Sequence, residues 1–253
     1  MAARPDTPGA VEILGVRVHR VGLAEAAELI LGMTAGTAGK ACLVATTNAE
    51  MIYAAQTDRT LRRTLEQADL LVPDGAGVVW AARHLGLPVP ERVPGVDLVA
   101  VVLQRLARTG GRVYLLGGRP GVAEKARERL LAAFPGLSIP GCHHGYFGPA
   151  EDAEIIADVR ASRAQLLLVC LGSPKQEKWA GAHLERLGVP VCIGVGGFLD
   201  VWAGVVRRAP EAFRKANLEW LYRLLRQPGR FWRMLALPKF VLAVLLRRSR
   251  PSR

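Results

Sequence analysis

The chain has 253 residues, half of them hydrophobic and 22% charged, a balance that excludes intrinsic disorder for the bulk of the molecule. A chain of this length buries enough surface to dispense with disulfides or a structural metal. Its four scattered cysteines (Cys42, Cys142, Cys170 and Cys192) form neither a zinc pattern nor a secreted disulfide framework. The net charge of +12 is unevenly placed: residues 207–253 hold 13 Lys+Arg against 2 acidic residues, and the remainder 21 against 20. A nearly neutral globule followed by a basic segment points to an anionic partner, whether nucleic acid, membrane surface or phosphate-bearing substrate.

In chain order, Met1–Asp6 has no apolar stretch of the signal-peptide kind, so the expected compartment is the cytoplasm. Val11 to Val21 alternates around Gly15, as a small hairpin does. A helix over 23–34, a strand over 41–46, a helical stretch to Gln67 and a strand over 69–73 follow. Helices near 76–85 and 97–108 precede a strand at 112–117, a helix at 121–134 and a strand at 137–142. A helix over 150–162, a strand over 165–171, a helix over 174–187 and a strand over 190–195 complete the alternation. Short apolar strands separated by helices predict a doubly wound α/β fold with a mainly parallel sheet. Residues 1–206 are read as this core, and residues 207–253 as a basic, helical C-terminal appendage.

In that appendage Phe213, Trp220, Leu221 and Leu224 fall near one face, among arginines, until Pro228-Gly229 interrupts the pattern. A second helical segment runs from Arg230 to about Arg248, with Pro238 expected to kink or split it. Phe231, Trp232, Leu235, Phe240, Val241 and Val244 mixed with arginines suggest a basic amphipathic surface element. The apolar run Phe240–Leu246 is far short of the ~20 residues that span a bilayer.

Ligands of parallel sheets bind beyond the carboxyl ends of the strands. Thr46-Thr47-Asn48-Ala49-Glu50 offers hydroxyls and an amide there, although Thr47 with Glu50 also reads as a capping box. Asp74, ahead of Gly75-Ala76-Gly77, is either a helix cap or a general base on a rigid element. Gly117-Gly118-Arg119-Pro120-Gly121 lets backbone approach a ligand at a helix start, as a nucleotide diphosphate requires. Neither a Walker A loop nor Gly-x-Gly-x-x-Gly is present. Ser173, Pro174 and Gln176 form a helix-start signal, and Lys175 and Gln176 could face a phosphate or sugar. Gly196-Gly197 and Asp200 invite close approach and a hydroxyl contact. His143-His144 has no third ligand nearby and predicts no metal site.

Taken in order, several stretches resemble the bacterial WecG/TagA/CpsF glycosyltransferase family. They are Thr47–Glu50, Ala68–Gly75, Pro90–Gly95, Leu115–Gly118, His144–Phe147, Leu171–Glu177, Gly194–Gly197 with Asp200, Arg208–Pro210 and Glu219–Arg223. The resemblance covers about residues 12–240; one departure is Ala49, where many relatives carry Pro. It implies inverting transfer of N-acetylmannosamine, or a related hexosamine, from a UDP-sugar to undecaprenyl-diphosphate-linked GlcNAc. On that likeness Asp74 is the base, assisted by Thr46. Asn48, Arg92, Gln176 and Asp200 contact the sugars, and Arg223, Arg230 and Arg233 face phosphates at the membrane, while Gly117 and Gly118 are taken as substrate-binding from the glycine-rich turn itself. The resemblance further implies no metal and no other cofactor, and a place on the inner face of the cell membrane. It implies no nucleic-acid partner and leaves a homo-oligomer open. With no Asp-x-Asp motif, cationic side chains and helix N-termini remain to receive the charge of a departing UDP. Two other classes compete: an NAD-type oxidoreductase, disfavoured by the missing dinucleotide fingerprint, and a nucleic-acid-binding protein using the basic tail.

Overall fold

A computed structural model describes residues 8–36, 40–211, 213, 222 and 235–248 of the chain. It opens with an antiparallel hairpin, β1 (Ala10–Ile13) and β2 (Val16–His19), turning at Leu14-Gly15 with both residues at positive φ. Helix α1 (Leu23–Ala35) leads into a six-stranded, wholly parallel sheet. Its strands are β3 (Cys42–Thr47), β4 (Leu70–Pro73), β5 (Arg112–Gly117), β6 (Ser138–His143), β7 (Leu166–Cys170) and β8 (Val191–Gly194), in spatial order β4-β3-β8-β7-β5-β6.

The strands are apolar on both faces, as a sheet covered on both sides requires. Val44, Leu70, Val72, Leu115, Leu168 and Ile193 face one layer, made by α1, α5 (Gly95–Ala107), α6 (Val122–Ala133) and α9 (Phe198–Trp202). Leu43, Leu71, Tyr114, Leu116, Leu167 and Cys192 face the other. That layer comprises α2 (Ala49–Ala54), α3 (Arg59–Gln67), α4 (Ala76–His84), α7 (Asp152–Ala161), α8 (Lys175–Leu187) and the hairpin. The doubly wound architecture expected from the apolar runs is therefore present.

Four local readings are sharpened. The helical stretch before Gln67 is two helices, because Asp58 caps a new start, its Oδ1 accepting from Leu61 N at 3.0 Å. The helix expected at 97–108 begins at Gly95, directly after Pro94. A short helix, α9, follows β8 where none was expected. The helical segment expected from Arg230 to about Arg248 is described from a turn at Leu235 onward as α10 (Ala236–Arg248), with Pro238 in its first turn, where a proline gives up only an amide that has no partner; residues 231–234 lie outside the described residues.

The amphipathic reading of the C-terminal segment also changes. Phe240 and Val244 are fully buried, with α10 packed across α2 and α4. The apolar side chains that α10 and the preceding residue leave exposed are Leu235, Leu242, Leu245 and Leu246. Among the described residues no helix is long and apolar enough to cross a membrane.

Candidate active site

The loops after β3 and β8, neighbours in the sheet, leave on opposite faces: β3 feeds α2 in one layer and β8 feeds α9 in the other. Such a divergence opens a crevice at the carboxyl edge. Thr46 sits there, buried, its Oγ1 donating across the gap to the Gly194 carbonyl at 3.0 Å. The hydroxyl thus ties the two strand ends together.

Asp74 lies one residue beyond β4. Its amide donates to Thr47 O at 2.8 Å, which extends the sheet register and fixes the backbone. Its carboxylate does not cap α4, whose N-cap is Gly75 with no side-chain bond. Instead Oδ2 accepts from Gly95 N at 3.3 Å, the first amide of α5. A helix N-terminus is where a carboxylate is stabilised in its ionised form. A Cβ on Gly95 would lie 2.8 Å from Thr46 Cγ2 and 3.1 Å from Val195 Cγ2. Only glycine lets α5 seat this closely, and through Gly95 the structure brings Thr46 and Asp74 to one place.

Asn48, rather than Thr47, is the cap of α2: its Oδ1 accepts from Met51 N at 2.9 Å, while the buried Thr47 turns back towards Ala45 O. The Asn48 amide nitrogen makes no hydrogen bond to the described residues. Arg92 is half-buried in the segment before α5. Three bonds strap that segment down: Val93 N to Pro73 O, Glu91 Oε1 from Leu23 N, and Arg20 Nε to Pro88 O. Arg92 is thereby carried next to the end of β4, and so near Asp74.

The rim formed by β5, β7 and β8 is different in kind. Gly117 has φ +141°, and a Cβ there would fall 2.3 Å from the Cys170 carbonyl oxygen. Gly118 is closed onto Val122, and Gly145, after β6, packs its backbone against Gly117 and Gly118. Gly145 N donates to Gly118 O, and Lys175 Nζ holds the same loop through Gly145 O at 3.2 Å while lying over the Phe147 ring. The result is a rim of tightly packed glycine backbone, buried at Gly117 and half-buried at Gly118 and Gly145, beside exposed Tyr146.

Gln176 is buried beneath this rim. Its Oε1 accepts from Gly172 N at 3.1 Å and its Nε2 donates to Glu177 Oε1 at 2.7 Å. The Ser173 cap expected for α8 does not form: Pro174 is the N-cap residue, and Gln176 reaches back to Gly172. The amide of Gln176 is thus engaged in shaping the turn. Asp200, in the first turn of α9, is half-buried, and its carboxylate makes no hydrogen bond to the described residues. Arg223, Arg230 and Arg233 lie outside the described residues, as do Trp220, Phe231 and Trp232. His143 and His144 place their rings 4.5 Å apart, and no three of His, Cys, Asp and Glu converge among the described residues.

Two elements of the site carried no role in the sequence reading. Gly95 was visible only as part of Pro94-Gly95, and its amide matters because α5 starts there. Arg208 forms an ion pair with Asp97 in the first turn of α5. A contact spanning 111 residues leaves no local signal.

A carboxylate held at a strand end, beside the point where neighbouring strands diverge and a cluster of glycines packs, is a layout that suits a group-transfer enzyme. The chain belongs to the glycosyl transferase WecG/TagA/CpsF family, which it matches over residues 11–253. It is 36% identical over 207 residues to a Bacillus spizizenii (strain W23) protein named N-acetylglucosaminyldiphosphoundecaprenol N-acetyl-beta-D-mannosaminyltransferase, covering 81% of this chain and 79% of that one. A Staphylococcus aureus (strain MW2) protein of the same name is 34% identical over 231 residues, 91% of this chain and 90% of the relative.

Proposed function

We propose that the protein transfers N-acetylmannosamine, with inversion, from a UDP-sugar to the GlcNAc of a polyprenyl-diphosphate-linked acceptor in surface-polysaccharide or teichoic acid synthesis. The names of its relatives support the acceptor and the transferred sugar. The observation that carries the mechanism is the Asp74 carboxylate, held at the crevice by the leading amide of α5.

In this reading the acceptor hydroxyl gives its proton to Asp74 as its oxygen attacks the anomeric carbon. The bond from that carbon to the phosphate oxygen breaks on the opposite side, and UDP leaves with the electron pair. Inversion follows from the single displacement. Thr46 keeps the ends of β3 and β8 together around the reacting centre. Asn48, Arg92 and Asp200 contact the sugars, Gly117 and Gly118 give the diphosphate close access to backbone, and Gln176 holds the turn beneath it. Preorganised donors and cations stabilise the departing charge, Arg223, Arg230 and Arg233 among them.

The segment 207–253 serves as the docking element on the inner face of the membrane. Its net charge of +11 supports this, since each Lys or Arg near an anionic surface contributes about 1 kcal/mol. The exposed Leu242, Leu245 and Leu246 on α10 supply apolar surface for the interface. UDP release from UDP-N-acetylmannosamine, with a short-chain polyprenyl-diphosphate-GlcNAc acceptor, tests the reading. Acceptor-dependent release is expected. Its absence with this pair, and its presence with another donor, would overturn the sugar assignment.

A further inference from the structure

The first turn of α5 has two ends to its bonding. At the leading end, Gly95 N holds the Asp74 carboxylate and the Gly95 backbone lies against Thr46. Two residues on, the Asp97 carboxylate meets the Arg208 guanidinium, at 32% and 25% side-chain exposure. A carboxylate in the first turn of a helix already suits the dipole, so Asp97 needs no partner to stabilise the helix. Arg208 does something else: it is the second residue of the basic segment. The chain reaches it from α9 through a tight turn in which Val205 N and Val206 N both donate to the Asp200 carbonyl oxygen, at 2.9 and 3.0 Å. Ala209, next to it, is buried. The root of the basic segment is therefore fastened at a fixed point, on the turn that orients the base.

We propose that Arg208 is a positioning residue for catalysis: paired with Asp97, it fixes the turn of α5 whose leading amide holds Asp74, and so sets where the base points. This inference rests on the reading of Asp74 as the base. The pair is part-exposed, so its energetic contribution to overall stability is small. What it controls is geometry, and a misplacement of about 1 Å in a reacting group costs up to ~100-fold in rate.

The test uses full-length Arg208→Gln, Arg208→Lys, Asp97→Asn and the Asp97→Asn/Arg208→Gln double variant, with Asp74→Asn as the reference. Turnover and KM are measured with UDP-N-acetylmannosamine and the short-chain lipid acceptor, normalised to the fraction that binds UDP, beside the melting temperature. Arg208→Gln and Asp97→Asn should each lower kcat about 10-fold with donor KM unchanged. The double variant should be no worse than either single one, because one interaction is lost in all three. Lys at 208 should recover part of the loss.

Wild-type kcat in Arg208→Gln and Asp97→Asn, with Asp74→Asn inactive, would overturn the inference alone. So would additive losses in the double variant, or a lowered melting temperature with unchanged turnover. Normal turnover in Asp74→Asn would instead overturn the base assignment and this inference with it.

Discussion

At the ends of β3 and β4 the sheet presents side chains: Thr46, Asn48 and Asp74, each fixed by a backbone partner. At the ends of β5, β7 and β8 it presents Gly117, Gly118, Gly172, Gly194 and Gly196, with Gln176 buried beneath them. The two halves share one sheet, yet the first places functional side chains directly at the strand ends, while the second places glycines there, with Lys175 and Asp200 set back in the helices that follow. Chemistry needs an acid or base held in a defined place, whereas binding a diphosphate needs backbone amides at close range. On this view the first half reacts and the second half holds the donor.

The largest effect should come from the first half. Asp74→Asn keeps size and the bond from Gly95 N but removes the proton acceptor, and turnover should fall at least ~100-fold with the fold intact. Steady-state UDP release on the purified variant checks this. In the second half, Gly117→Ala forces a Cβ into the Cys170 carbonyl at a φ that side chains rarely adopt. It should cost about 1–3 kcal/mol of stability and weaken UDP binding about 10-fold, measured by denaturant titration and calorimetry. Its kcat at saturating donor should fall less than that of Asp74→Asn, and a reversed order would break the division between the halves.

Away from both halves, Phe240→Ala empties a fully buried site between α10, α2 and α4. A Phe→Ala change in a packed core costs about 3–5 kcal/mol, here drawn first from the docking of α10. Hydrogen exchange should show α10 opening before the sheet, with catalysis on a soluble acceptor analogue impaired less than vesicle binding. A smaller effect belongs to His19. Its Nδ1 accepts from Leu71 N on edge strand β4, while burial, with nearby Arg17, lowers its affinity for a proton below the ordinary 6.5. The unfolded chain takes up that proton first, so stability should be complete above about pH 6.5 and decline as the pH falls below it. His19→Gln should flatten this part of the pH–stability curve. Excess EDTA should change activity least of all, and loss restored by Mg²⁺ or Mn²⁺ would reveal a metal step.

The alternation of apolar runs and helical patterns was enough to read the architecture, because strands buried on both faces read as short, mainly apolar runs, with their few polar residues mostly at the ends. The positions of Thr46, Asn48, Asp74, Gly117 and Asp200 at strand ends were legible for the same reason. Their partners were not. Asp74 looked equally like a helix cap, and the approach of α5 through Gly95, 21 residues on, gives its carboxylate a partner that the local sequence does not announce. Thr47 had the better capping-box spacing, but it is still inside the strand and buried, so the cap passes to Asn48. The mixture of Phe, Val and Arg around residue 240 read as a basic amphipathic surface element because nothing local records that α10 packs Phe240 and Val244 against α2 and α4.

The division between a reacting half and a holding half is tested most directly by measuring two quantities on the same Asp74→Asn sample: UDP affinity by calorimetry and single-turnover transfer to the lipid acceptor. The account predicts UDP affinity within about twofold of the wild type and transfer slowed at least ~100-fold. Transfer at near wild-type rate, or a loss of UDP affinity as large as the loss of transfer, would contradict it.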